Sequence, residues 1–378
     1  MSIRNNNLGS INKPGFNALG AQTSVTTYTY ELYTWGGNSN GQLGLSNVTS
    51  YSSPKQVGAL TTWLNIACGY SHTIATTTAG TLYAWGNGSI GRLGLGNTTS
   101  YSSPKQVGAL TAWLKVACGY GYTNAIKTDG TLWTWGYNLY GQLGLGNTTT
   151  YSSPKQVGAL TTWSKITNGS AFALAVKTDG TLWSWGQNDR GQLGLNVLTY
   201  YSSPKQVGAL TAWTSISAGS AFALAIKTNG TLWSWGRNSN GQLGNGGTVD
   251  TSSPNQVGAL TTWLNIACGS FFAIAVKTDG TLWSWGRNDS GQLGLSNTTY
   301  YSSPKQVGAL TAWYSVACGS TFVIAPKTDG TLWVWGNGGD GKLGLGNSTG
   351  YSSPKQVGAL TTWATPACGA TFTTALKY

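Results

Sequence analysis

The chain has 378 residues, of which 40% are hydrophobic and 8% charged, with a formal charge of +12. Its 19 Trp and 19 Tyr exclude a disordered chain, and its 55 Gly, with no triplet period and only 10 Pro, exclude collagen. The longest apolar run is about six residues, far below the ~18 needed to cross a bilayer, so no membrane insertion is expected.

Residues 1–23 carry no repeat and lack the apolar core of a secretion signal, so they read as a polar tail and candidate anchor. The positive charge reflects scarce acids, nine in all, and no basic run occurs. A nucleic-acid partner, which needs one concentrated basic patch, is therefore not expected.

From residue 24 onward one period dominates. YSSPKQVGAL begins at Tyr51, Tyr101, Tyr151, Tyr201, Tyr301 and Tyr351, and TSSPNQVGAL at Thr251, always 50 residues apart. Trp-Gly pairs at Trp35, Trp85, Trp135, Trp185, Trp235, Trp285 and Trp335 keep the same step, which makes seven units. Within 251–300, short apolar or alternating runs predict strands over 256–260, 263–269, 271–277 and 281–286. Thr278-Asp279-Gly280 has the chemistry of a tight hairpin. The expected fold is all-β, a seven-bladed propeller of four-stranded antiparallel blades over 24–378. The segment 28–36 matches a unit's fourth strand and 372–378 its third, so the N- and C-terminal strands are expected to share one blade.

The segments A-C-G-Y-S-H-T (67–73), T-L-W-x-W-G and G-Q-L-G-L-G-N (141–147) resemble the regulator of chromosome condensation (RCC) repeat family. The resemblance covers about 28–378 and implies a seven-bladed propeller. Only the first unit has the family's His, at His72. Tyr122, Phe172, Phe222, Phe272, Phe322 and Phe372 replace it, which marks a packing position.

No catalytic, metal or cofactor set emerges. The stretch from Gly336 to Leu343 mimics a phosphate-binding loop up to Lys342, but Leu343 stands where Ser or Thr is required and no helix is predicted after it. Cys68, Cys118, Cys268, Cys318 and Cys368 fall at one repeat position and read as small buried thiols, too far apart for disulfides. Asp129, Asp179, Asp279 and Asp329 are turn residues, and a single His builds no catalytic triad. The chain reads as a non-enzymatic protein.

Strand alternation sorts the loops onto two faces. The K-T-D-G turns and the 261–262 linker fall on one, X. The long loops such as 286–304 fall on the other, Y. Solvated rings of lysine are expected on X (Lys127, Lys177, Lys227, Lys277, Lys327, Lys377) and on Y (Lys55, Lys105, Lys155, Lys205, Lys305, Lys355). The units differ most after Trp-Gly, after the Cys-class Gly and around 245–250, all zones that begin on Y. Face Y is the expected recognition surface, with Tyr137, Tyr140, Arg190, Arg237, Arg287 and Asp340 as candidate partner or glycan contacts.

The near-identical units resemble tandem-repeat proteins of bacteria and tailed bacteriophages, and the tail resembles virion attachment segments. That resemblance implies a virion structural or surface-recognition protein (tail fibre, baseplate or capsid decoration). It would be anchored on other virion proteins through 1–23 and would face a host surface glycan or protein. The alternative is a cytoplasmic interaction propeller of the GTPase- or chromatin-binding type.

Overall fold

A computed structural model describes residues 29–378. Its short strands pair antiparallel into seven four-stranded sheets, and among the described residues no peptide bond is cis. Blade 1 runs Trp63–Cys68, His72–Thr77, Leu82–Gly86 and Tyr101–Gln106, from the axis outward. Blades 2 to 5 repeat it at steps of 50, starting at Trp113, Trp163, Trp213 and Trp263. Blade 6 has a shorter inner strand, Ala317–Cys318, extended by a bridge from Trp313 to Lys327. Blade 7 joins the two ends: Trp363–Cys368 and Phe372–Lys377 lie inside Glu31–Gly36 and Tyr51–Gln56. Its seam is continuous from Glu31 opposite Lys377 to Gly36 opposite Phe372, and the two charged end residues pair at 3.2 Å.

The expected strand at 256–260 is displaced. The strand is Thr251–Gln256, and it forms the outer edge of the preceding blade, opposite Leu232–Gly236. Gly258, at φ +61°, turns the chain before it can continue. Pro254 is tolerated because an outer edge needs no ladder donor on its solvent side.

The core lies between blades. Leu174, Val176 and Leu182 of blade 3 pack on Trp213, Ala223, Ala225 and Trp235 of blade 4, and the other interfaces repeat this arrangement. A tryptophan from each third strand also donates across the interface. Trp85 Nε1 bonds the Gln42 carbonyl at 3.0 Å, and Trp135 Nε1 that of Arg92 at 3.0 Å. A glycine is required beneath this ring: a Cβ on Gly94 would come within 2.7 Å of Trp135 Nε1. His72, fully buried, fills the same inter-blade position as Tyr122 and Phe172, so the packing expectation holds.

Two lysine expectations are corrected. The X-face lysines are not a solvated ring. Lys277 and Lys327 are buried, and each sets its ammonium over two indoles. The Lys55 class is not on Y but on the outer strand: Lys55 opposes Thr34, closer to X than Tyr51, which opposes Gly36 at the Y end. Its Nζ lies 5.5 Å from the Tyr51 ring, a cation–π contact within one strand.

Candidate recognition face

The third strand of each blade ends on Y at a left-handed glycine such as Gly36 or Gly136. The loop that follows crosses onto the next blade. In five blades it is built on a buried Asn and a Gln. Asn138 Oδ1 accepts the Leu143 N–H at 2.9 Å while its Nδ2 donates to the Asn147 and Thr149 carbonyls. Gln142 Oε1 accepts the Tyr140 N–H at 2.9 Å.

The other two loops change both residues together: Gly88 with Arg92, and Gly338 with Lys342. Arginine and lysine cannot accept a hydrogen bond, so the Gln-type turn is lost. A 3-10 turn forms instead, over Ser89–Gly91 and Gly339–Gly341, with Ile90 and Asp340 left-handed at φ 56° and 60°. The phosphate-loop look-alike is thus an inter-blade crossing. Its Lys342 carbonyl receives Trp35 Nε1 and the Thr373 hydroxyl.

This scaffold sets the six candidates in separate groups. Tyr137 and Tyr140 meet edge to face at 6.3 Å between centroids, and Tyr140 meets Tyr200 of the next blade at 5.8 Å. Arg190 lies exposed, 3.7 Å from Asp250. Arg237 and Arg287 flank the ring of Phe271, at 4.9 and 5.8 Å. Arg287 Nε also donates to Asp289 at 2.9 Å, and this carboxylate raises its pKa further. Asp340 stands exposed on its left-handed turn. All six lie on the Y loops, but they form no single cluster.

Three elements lie within the variable zones but were not among the candidate contacts. Tyr200 and Asp250, from the last position of their units, complete contacts begun by Tyr140 and Arg190 on the neighbouring blade. Phe271 is the platform for two arginines. Tyr70 and Tyr120 stack at 4.5 Å, about half exposed, at the mouth of an axial cavity on Y. The signal for the last was available, because that position reads Tyr, Tyr, Ser, Ser, Ser, Ser, Ala around the ring.

The axial cavity, about 330 Å³, is lined by these residues and by the Cys class beneath them. The five cysteines are free and only partly exposed as residues, and their sulfurs are desolvated beneath the cavity, as expected of small buried thiols. Burial pushes Cys68 and Cys268 up to about 12. The turn aspartates are structural: Asp179 accepts the Thr181 hydroxyl at 2.7 Å and the Thr181 N–H at 2.9 Å, which hold its carboxyl below the usual range. Among the described residues no group of three His, Cys, Asp or Glu could hold a metal.

Among solved structures, the chain is similar to human WBSCR16, at 20% identity and a TM-score of 0.84, covering 92% of this chain and 98% of that one. It is also similar to yeast RCC1 (Prp20) in its complex with Kap60, at 20% identity, a TM-score of 0.83 and coverage of 93% and 89%. A crystal structure of Prp20p from Saccharomyces cerevisiae matches at 21% identity, a TM-score of 0.83 and coverage of 93% and 92%. At such identities the likeness concerns the fold. In sequence, the RCC1-like domain matches residues 16–265, and the regulator of chromosome condensation (RCC1) repeat matches 279–325 and 329–376. The chain therefore belongs to the RCC1-like domain family.

Proposed function

We propose that this chain is a non-enzymatic binding module that presents face Y to a macromolecular partner. One observation carries the proposal: chemically distinct side chains concentrate on the Y loops of a scaffold that otherwise repeats every 50 residues. Tyr137, Tyr140, Arg190, Arg237, Arg287 and Asp340 stand where packing does not dictate identity. Rigid blades with variable loops are the usual arrangement of a recognition surface. The aromatic pairs Tyr70–Tyr120 and Tyr137–Tyr140 supply stacking faces suited to a sugar ring or a protein side chain.

Within this reading, the chain is a structural or surface-recognition component of a phage virion. The near-identity of its units and its polar leader support this, although the proposed anchor at 1–23 lies outside the described residues. Mass spectrometry of purified particles tests it: stoichiometric copies support the virion, and absence from particles removes it. The solved structures favour a second reading, an intracellular interaction propeller, since yeast RCC1 (Prp20) was solved bound to Kap60 and Prp20p was characterised for binding Gsp1p and histones. A stoichiometric cytosolic protein complex would support that reading. Combined alanine substitutions at the six Y residues are expected to abolish capture of the partner, while substitutions on X preserve it. The reverse result would remove Y as the recognition face.

A further inference from the structure

Face X carries one break in its pattern. In blades 2 to 6 a lysine at the end of the second strand sets Nζ over two indoles. Lys177 lies 5.1 Å from the Trp163 centroid and 3.7 Å from that of Trp183. Lys127 lies 5.1 and 5.0 Å from Trp113 and Trp133. In blade 7, Lys377 lies 5.2 Å from Tyr33.

Blade 1 keeps the aromatic pair but not the cation. Trp63 and Tyr83 meet at 5.5 Å and 74°, yet Thr77 occupies the lysine position. Its hydroxyl turns away to Thr81 Oγ1 at 2.5 Å. Among the described residues no ammonium or guanidinium lies over either ring. The same two rings line a cavity of about 310 Å³ between blades 7 and 1, walled also by Leu45, Val57, Leu60 and Pro104.

We propose that this cavity binds a primary ammonium group, presented by a lysine side chain of a partner protein. Five sister blades show the same kind of aromatic pair holding an ammonium. The apolar walls suit a butyl stem, and the ring faces suit the charged head. None of the lining residues is acidic, so attraction comes from the ring quadrupoles and dispersion, not from an ion pair. Binding should therefore depend little on salt. The site includes none of the six Y candidates and survives the failure of that reading.

The test uses the full-length protein and n-butylammonium, with n-butanol as the neutral isostere. The indole N–H resonance of Trp63, assigned through Trp63→Phe, is followed by NMR. Butylammonium is expected to shift it saturably, with butanol about tenfold weaker or without effect. Thr77→Lys installs the sister-blade lysine and should weaken butylammonium binding about tenfold, whereas Thr77→Ser should leave it unchanged. Tyr83→Leu, which keeps apolar bulk but removes a ring, should weaken binding similarly and serves if the lysine variant misfolds. Equal binding of butanol, no saturable shift, or unchanged binding in folded Thr77→Lys or Tyr83→Leu would overturn the proposal.

Discussion

The guanidinium of Arg190, in a loop of blade 3, lies 3.7 Å from the carboxylate of Asp250, in the corresponding loop of blade 4. Tyr140 and Tyr200 make the equivalent contact one blade earlier. Chemically matched residues thus meet across interfaces whose other contacts are nearly identical. The two partners differ in weight. Arg190 is half exposed, and such surface pairs contribute about 0–1 kcal/mol. Asp250 also accepts the Asn238 N–H through Oδ1 at 2.7 Å. Arg190→Ala should therefore cost less than about 1 kcal/mol and Asp250→Ala about 1–2 kcal/mol, with Asp250→Asn near wild type. In urea unfolding, the difference between the two alanine variants should persist in 1 M salt. Equal losses that both vanish in salt would show that the ion pair alone matters.

His72 should make stability pH-dependent. Burial holds its pKa down at about 3, with the positive charge of Arg92 acting in the same direction. Nε2 meets Thr123 Oγ1 at 3.2 Å, and Nδ1 has no partner. The unfolded chain binds this proton below about 6.5 and the folded chain only near 3, so stability falls as pH drops through that window. The slope approaches about 1.4 kcal/mol per pH unit. His72→Phe, the residue of five sister blades, removes the term. Between pH 7 and 4.5 the wild type should lose about 2–3 kcal/mol more than His72→Phe. Parallel losses would mean that the imidazole is solvated.

The ring itself was legible because a 50-residue period fixes it, and because 28–36 and 372–378 match strands that each end lacks. The blade boundary was not. YSSPKQ opens the repeat as written, but its first pairing partner is the Trp-Gly strand behind it, a non-local choice that local patterning does not encode. Lysine roles failed for a related reason. The two tryptophans that hold Lys177 stand 14 residues before it and six after, and only cross-strand register brings all three together. The Y contacts were half legible: variation marked Tyr140, Arg190 and the zone that ends at Asp250, but that Tyr140 meets Tyr200 and Arg190 meets Asp250 depends on pairing across units.

The axial thiols should be unreactive despite lining a cavity. Burial raises Cys68 and Cys268 from 9.0 to about 12, which lowers the thiolate population about a thousandfold at neutral pH. Iodoacetamide should modify the folded protein's cysteines orders of magnitude more slowly than those of the urea-unfolded chain. The rate should still rise with pH beyond 9. Fast labelling at pH 7, located to Cys68 by mass spectrometry, would show that water reaches the sulfur and that the cavity floor is polar.

A last prediction comes from an alternation around the ring. Ahead of the inner-strand tryptophan the chain carries Thr62, Ala112, Thr162, Ala212, Thr262, Ala312 and Thr362. The three alanines are left-handed, with φ from 68° to 71°, and the threonines are not. Where the turn is left-handed, the indole is satisfied: Trp113 Nε1 donates to the Leu110 carbonyl at 3.0 Å, and Trp213 and Trp313 do likewise at 3.1 Å. In the four threonine blades, Trp63, Trp163, Trp263 and Trp363 have buried Nε1 groups without a partner. The cause is the branched Cβ of threonine, which makes positive φ costly. Ala212→Thr should therefore flip the turn, orphan Trp213 Nε1 and cost about 1–2 kcal/mol. Ala212→Gly should keep the hydrogen bond and gain up to about 1 kcal/mol by relieving the left-handed strain. Hydrogen exchange of the Trp213 indole separates the two: faster in Ala212→Thr, unchanged in Ala212→Gly. Unchanged exchange in Ala212→Thr would mean that the turn tolerates a β-branched residue and that the alternation has no conformational cause.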